Sequence, residues 1–412
     1  MKCEVQTCIA ESKVRTLAVY LFLSDIFFMT RFYAMSNLVE TLLFGLFIIA
    51  PSLRSQFVEV LRNPVVTPLI LFFGWTLVAG VWGEGSAIER LDHWWSWRKL
   101  LLLPIGLILL SNPRIFRFAL LVSSSVGLLF FCLAALGWVL NFESVWGRPY
   151  TGVLQNPNAQ AMYFAILSAG LVITSKSPLG RYPDSWHKLL LAIALLGFNI
   201  FLGSSRTGYI ASGITLFFII LMLMPKMRMQ MLYAVGLMIF FIGMSPFAIE
   251  RIGEAMSGLA VGLADQGGAF TSGSIRAVFW KNTVTVITDH WLFGTGANGF
   301  ENAYGRSVLG ETGWRGLVTD NPHSQFLHIW AEYGLLGLLM FSWFLIAIYR
   351  QVTFTTRWGT VLAAVLAITV SLSFVDGTFG SAVNGRISMF ALVICLVGCA
   401  LERAGKLGEA SH

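Results

Sequence analysis

Charge is scarce in this chain. Asp, Glu, Lys and Arg make up 12% of its 412 residues, against about 25% in a soluble domain, so it cannot be wetted all round as a cytosolic enzyme would be. Cysteine is equally uninformative for a disulfide framework or a zinc site. Cys3 and Cys8 lie in the N-terminal tail, and Cys132, Cys395 and Cys399 lie inside apolar runs, so none falls in a polar loop. No outer loop carries an Asp-x-Asp pair for Mg²⁺ or Mn²⁺. HExxH, GxSxG and a P-loop are all missing, which removes the usual hydrolase and NTPase readings. No internal repeat, low-complexity tract or soluble domain breaks the chain. The net charge of +7 is distributed as membrane orientation requires and does not indicate nucleic acid.

What is abundant is apolar sequence: 56% of residues are hydrophobic, including 33 Phe and 14 Trp, which suit lipid contact and interfacial belts. Runs of about 20 apolar residues are long enough to cross a ~30 Å hydrocarbon core. About twelve are expected, near 16–32, 36–51, 65–82, 96–110, 117–140, 158–174, 188–204, 207–224, 229–247, 324–348, 358–376 and 385–402. Residues 13–36 have the outline of a signal peptide, with Lys13 and Arg15 before an apolar core. Asp25 within that core and the long preceding segment point instead to an uncleaved helix. The fold class is an all-α polytopic membrane protein forming a single transmembrane domain over 1–412. With the N-terminus inside, 16 of the 28 Lys and Arg fall on the cytoplasmic side. Seven face outwards, and the other five lie in one long loop that the positive-inside rule does not count. Both termini are therefore expected in the cytoplasm.

The long loop, 248–323, sits between spans 9 and 10 on the periplasmic side. It holds Gly-rich breaks and two plausible amphipathic helices, near 248–264 and 274–290. At its end Asp320-Asn321-Pro322 reads as a helix start, with Asn321 as N-cap and Pro322 at the first helical position. That would put His323 in the first turn, where unpaired N–H groups favour anions and disfavour imidazolium. A neutral imidazole there suits a general base acting beside a phosphorylated substrate; the bland alternative is a histidine at the lipid–water boundary. On a continuous helix, His328 and Glu332 would point away from it.

Several other residues are singled out by position. Arg206 lies in a tight outer turn, Gly203-Ser204-Ser205-Arg206-Thr207-Gly208, where a guanidinium at membrane depth either snorkels or marks a substrate path. Arg276 shares a helix face with Trp280, which by itself reads as an interfacial anchor. Arg98 and Lys99 follow His93-Trp-Trp-Ser-Trp97, where an aromatic belt is the first reading and a phosphate contact the second. Gln155-Asn156-Pro157-Asn158 is a second Asn-Pro helix start at the outer face. Two such starts aimed into one cavity would make an anion site without a metal, with Asn156, Asn158 and Asn321 as its polar lining. Asp376, just past the eleventh span, is an acid at the outer boundary and a weaker candidate.

The order QNPNAQA (155–161), SSRTG (204–208), HWLFGTGANGFE (290–301) and NPHSQFLHIWAEYGLLG (321–337) resembles the O-antigen ligase and polymerase superfamily, over about residues 150–345. In length and loop position the chain is most similar to an O-antigen ligase of a Gram-negative inner membrane. The resemblance implies a fold similar to lipid-linked (GT-C-like) glycosyltransferases. It also implies transfer of O-antigen polysaccharide from undecaprenyl diphosphate to lipid A–core, in the membrane and facing the periplasm, with neither cofactor nor metal. It implies functional roles for Arg206, Arg276 and His323, and it raises Arg276 above its reading as an anchor. The alternatives are a polymerase, with a second lipid-linked glycan as acceptor, and a transporter or flippase.

Overall fold

The computed structural model describes residues 2–29, 32–140, 156–175, 186–203, 205–223 and 271–407, with residues 253, 257 and 260 as isolated helical positions. The ninth expected span, 229–247, and the amphipathic piece near 248–264 lie outside these, apart from those three positions. Gln155, Ser204 and most of the 175–188 loop lie outside them too. All regular structure among the described residues is helical. The first half comprises α1 (Lys2–Phe28), α2 (Tyr33–Ile49), α3 (Pro51–Val60), α4 (Val66–Val78), α5 (Ala87–Trp95), α6 (Leu102–Leu109), α7 (Pro113–Val139) and α8 (Pro157–Thr174). There follow α9 (Trp186–Gly197), α10 (Arg206–Leu223), α11 (Ser272–Asp289), α12 (Phe300–Ser307), α13 (Gln325–Tyr349), α14 (Arg357–Ser373) and α15 (Ala382–Arg403).

Each span expected from hydropathy within the described residues coincides with a helix, but not all are uninterrupted. Among the described residues three helices, α7, α13 and α15, are long and apolar enough to cross a membrane unaided. α2 and α3 qualify only together and bend by 95° between them. Val66–Val81, Trp186–Leu202, Arg206–Leu221 and Arg357–Ser373 are shorter apolar helices. The fourth expected span is a 3₁₀ segment, Ser96–Leu101, running into α6. The seventh passes into a π segment, Phe198–Leu202. Hydropathy reports the total apolar length; it is blind to a change of helix type within it.

Local chemistry sets several helix starts. Asn156 caps α8, its side chain accepting from the Asn158 N–H at 2.9 Å, with Pro157 next to it as the sequence predicts. Asn112 and Pro113 begin α7 in the same way. Thr271 and Ser274 close a capping box on α11. In the interior α8 packs on α9, α10 and α14, and α13 packs on α4. A second, smaller core lies in the loop region, where Phe279, Ile287, Phe300 and Tyr304 of α11 and α12 close over Ala331 of α13.

That small core depends on a break in α13. Gly334 has φ of 69°, outside the helical region, so the normal hydrogen bonds of the turn cannot form. The loop 290–299 supplies them: Thr295 N–H donates to the Ala331 carbonyl and Gly296 N–H to that of Glu332, each at 2.9 Å, while Leu335 N–H donates to the Trp291 carbonyl at 2.9 Å. Trp75 of α4 adds a fourth bond, its indole N–H donating to the Tyr333 carbonyl at 2.9 Å, so the groups freed by the break are paired as buried polar groups require. Two glycines make the approach possible: a Cβ on Gly334 would stand 2.2 Å from the Leu292 oxygen, and one on Gly294 would stand 2.4 Å from the Glu332 carbonyl carbon. HWLFGTGANGFE and AEYGLLG, far apart in sequence, are thus one structural piece. Gly334→Ala should cost at least about 1–2 kcal/mol from the left-handed backbone alone and undock the loop. Limited proteolysis within 290–301, followed alongside a thermal melt, would show it. Unchanged resistance to protease would mean the break tolerates a Cβ.

Candidate functional site

One end of the bundle gathers the N-termini of α8, α10, α13 and α15. Ser205, immediately before α10, donates to the Asn158 amide oxygen of α8 at 2.7 Å. Asn158 in turn donates from Nδ2 to Asp376 Oδ2 at 3.0 Å. Asp376 lies in the turn between α14 and α15, where the Gly377 N–H holds its other oxygen at 2.8 Å. Across from it stands His323, with Nδ1 3.9 Å from Asp376 Oδ1. That is ion-pair distance, too long for a hydrogen bond. The His323 side chain is 41% exposed and that of Asp376 only 13%. Helix N-termini carry partial positive charge and unpaired donors, so this end favours anions.

The basis for His323 differs from the sequence reading. Asn321-Pro322 is not a helix start: α13 begins at Gln325, and its N-cap is Ser324. The Asn321 side chain instead accepts from the His323 N–H at 2.8 Å, closing a local turn. His323 itself adopts φ of 54°, which a helix cannot accommodate, so it stands outside the helix in a left-handed conformation that few residues other than Gly adopt. The turn aims the imidazole away from the helix axis and towards Asp376. Strain of this kind is concentrated at functional sites.

α11 brings in the remaining groups. The Phe279 ring stacks on the His323 imidazole with centroids 6.2 Å apart and planes 16° apart. One turn earlier Arg276 is half-buried and within electrostatic range of both Asp376 and Arg206. Burial lowers its pKa, Asp376 opposes this, and Arg206 adds to it, for a net downward shift; a guanidinium nonetheless stays charged. Burial alone would raise the pKa of Asp376, but the His323 imidazole, the Asn158 amide and the Gly377 N–H all favour its anion, and the net shift is downward. With the folded pKa below the unfolded one, this carboxylate stabilises the fold above its unfolded pKa. The contribution is lost only as pH falls through the lowered value. Near neutrality Asp376 is a fixed anion.

Arg206, Arg276, His323, Asn156, Asn158, Asn321 and Asp376 therefore lie in one region, with Asn321 Nδ2 packed 3.0 Å from where a Cβ on Gly377 would stand. Arg98 and Lys99 do not join them. Arg98 is 13% exposed and donates to Glu40 at 3.0 Å. Glu40 is also gripped by both forks of Arg386, at 2.6 and 2.9 Å. Lys99, 3% exposed, donates to the carbonyls of Ser96 and Gly380. Their charges are used within the protein, where burying a cation requires a partner. Lys99 instead braces the turn that carries Asp376. Gln325 braces the same turn, accepting from the Gly380 N–H at 2.6 Å.

A cluster not foreseen from sequence lies behind the site. Glu332 is buried, with His93 Nε2 at 2.9 Å, His328 Nε2 at 3.5 Å and the Asn298 N–H at 2.9 Å. Burial lowers the pKa of His93, but the Glu332 carboxylate outweighs it and the net shift is upward. Trp97, expected in an aromatic belt, is buried and donates to the Tyr333 hydroxyl at 2.8 Å. His328 and Glu332 pair with each other one turn apart on α13, whereas His323 stands outside that helix, so the spacing expected on a continuous helix does not apply. Their partner His93 comes from α5, and no local signal in the sequence links the two. Among the described residues no group of three or more His, Cys, Asp or Glu could hold a metal ion.

Apolar helices that end in a cationic, polar cluster define an integral membrane protein with a site suited to an anionic group. Residues 191–342 match the family model described as O-antigen ligase. The matched segment contains Arg206, Arg276 and His323; Asn158 and Asp376 lie outside it. A protein of Haemophilus influenzae described only as uncharacterized is 21% identical over 341 residues, covering 79% of this chain and 84% of that relative.

Proposed function

We propose that the protein is an O-antigen ligase of the bacterial inner membrane. In this reading it transfers O-antigen polysaccharide from undecaprenyl diphosphate to lipid A–core on the periplasmic face. The observation that carries the reading is the meeting of Arg206, Arg276, His323 and Asp376 at one end of the bundle. The diphosphate leaving group is already stable as an anion, so two guanidinium groups can neutralise it by charge-assisted hydrogen bonds. The acceptor hydroxyl oxygen attacks the anomeric carbon as the bond from that carbon to the diphosphate oxygen breaks. The hydroxyl proton passes to His323. Asp376 faces Nδ1, which leaves Nε2 for the acceptor and steadies the imidazolium that forms. Asn158 and the Gly377 N–H hold Asp376 in place. A single displacement inverts the anomeric configuration and needs no carboxylate nucleophile.

Purified protein supplied with lipid-linked O-antigen and lipid A–core should form lipopolysaccharide, and should do so in excess EDTA. Loss of transfer on chelation, restored by Mg²⁺ or Mn²⁺, would remove the two-arginine mechanism. Longer lipid-linked glycan formed without use of lipid A–core would identify a polymerase with the same chemistry. Movement of substrate across proteoliposomes without transfer would identify a transporter, but the converging ionisable groups lie at helix ends and not along a midplane path. Orientation is tested separately. Glu311 and Thr355 are exposed on either side of α13. On a cysteine-free background, Glu311→Cys should react with an impermeant thiol reagent added from the periplasm and Thr355→Cys should not. The reverse pattern would place the site in the cytoplasm.

A further inference from the structure

A cavity of about 510 Å³ lies between α7, α8, α14 and α15, with its mouth at the end of the bundle away from the candidate site. Its mouth is formed by Arg117, His187 and Lys188. α9 and its π extension separate the two places: Lys188 is in the first turn, and Arg206 follows the far end. α8 agrees, since Pro157 begins at the candidate site while Gly170 and Thr174 line the cavity near the other end. The walls are largely aliphatic and aromatic. Leu121 and Leu128 of α7 line the cavity and are 61% and 47% exposed, so it opens sideways on the lipid-facing side of the bundle. Arg117 and Lys188 at the mouth make no hydrogen bond or ion pair with any described residue.

We infer that this cavity is a binding site for an anionic phospholipid of the leaflet opposite the reaction. One acyl chain enters the slot, and the headgroup phosphate is held by Arg117 and Lys188. A soluble ligand would have to reach the slot through hydrocarbon. A neutral lipid would leave two cations at the boundary without a counter-charge. An anionic lipid satisfies both the slot and its mouth, and basic residues at a membrane surface favour such lipids. Two of them together are worth roughly 30-fold in affinity. The assignment is independent of the transfer chemistry, because the mouth that would hold the headgroup and the candidate site lie at opposite ends of the bundle.

The test is native mass spectrometry of the delipidated full-length protein, given phosphatidylglycerol or phosphatidylcholine without donor or acceptor. The wild type should retain one phosphatidylglycerol in preference to phosphatidylcholine. The double variant Arg117→Gln/Lys188→Gln should bind it roughly 30-fold more weakly. Gly170→Leu should exclude the chain: a Cβ at 170 meets nothing within 4 Å, so the new side chain can fill the slot without displacing its walls. Equal retention of the two lipids, or unchanged binding by the double variant, would overturn the anionic assignment. Unchanged binding by Gly170→Leu would show that the lipid lies outside the cavity.

Discussion

Replacing His323 by Gln should nearly abolish transfer while leaving donor binding intact. A positioned base contributes roughly 10²- to 10⁴-fold in rate, and Gln retains a polar side chain of similar reach without a basic nitrogen. Donor binding should persist because, in the proposed mechanism, Arg206 and Arg276 and not the imidazole hold the diphosphate. The left-handed backbone at 323 calls for a second variant. Asn tolerates that conformation well, so His323→Asn separates loss of the base from loss of the turn. Both variants should remain folded, bind lipid-linked donor and fail at the chemical step, as read by single-turnover transfer alongside a donor-binding assay. Transfer by either near the wild-type rate would remove His323 as the base. Failure of donor binding in both would make it a third phosphate ligand, and another group would have to deprotonate the acceptor. His328→Ala gives the contrast. His328 is paired with buried Glu332 at 3.5 Å, so its loss should appear in thermal stability before it appears in transfer.

The arginines should separate charge from shape. In the proposed mechanism Arg276→Ala removes a guanidinium that meets the developing charge, a change worth roughly 10²- to 10³-fold when one such donor is lost. Arg206→Lys keeps the charge but not the planar fork. The loss of one charge-assisted hydrogen bond, about 1.5–3 kcal/mol, corresponds to roughly ten- to hundredfold. Both losses should appear in the use of lipid diphosphate donor, with membrane insertion and thermal stability near those of the wild type. Rates close to wild type in both variants would leave these residues as interfacial anchors and would remove the diphosphate clamp with them.

Parts of the site were legible because their signals are local. Asn156-Pro157 marks a helix start through a cap and a fixed φ, both set by neighbouring residues, and α8 begins there. Arg206 was marked by a short polar turn between apolar runs. The same logic failed at Asn321-Pro322, where the same dipeptide closes a turn and the helix begins at Gln325. An Asn side chain can accept from the N–H two residues on in either setting, so the motif cannot say which will form. Arg98 and Lys99 beside a tryptophan run allow a phosphate contact as a second reading, but Arg98 is held by Glu40 and Lys99 by the carbonyls of Ser96 and Gly380. Glu40 lies 58 residues away from Arg98.

By itself, the sequence determined that this is a membrane-embedded helical protein, where most of its helices run within the described residues, and which family model its residues 191–342 match. Composition, apolar run length and short motifs act over one or two helical turns. Only the tertiary structure decided what meets what. Asn158 reaches Asp376 across 218 residues, and Phe279 of α11 stacks on His323. His93 finds Glu332, and a glycine loop completes the hydrogen bonds of a broken helix. Such pairings depend on which helix faces another and at what rotation, and these are set by the packing of many side chains at once. No single stretch of the chain carries that information, so Asp376 becomes the partner of His323 only in the folded protein.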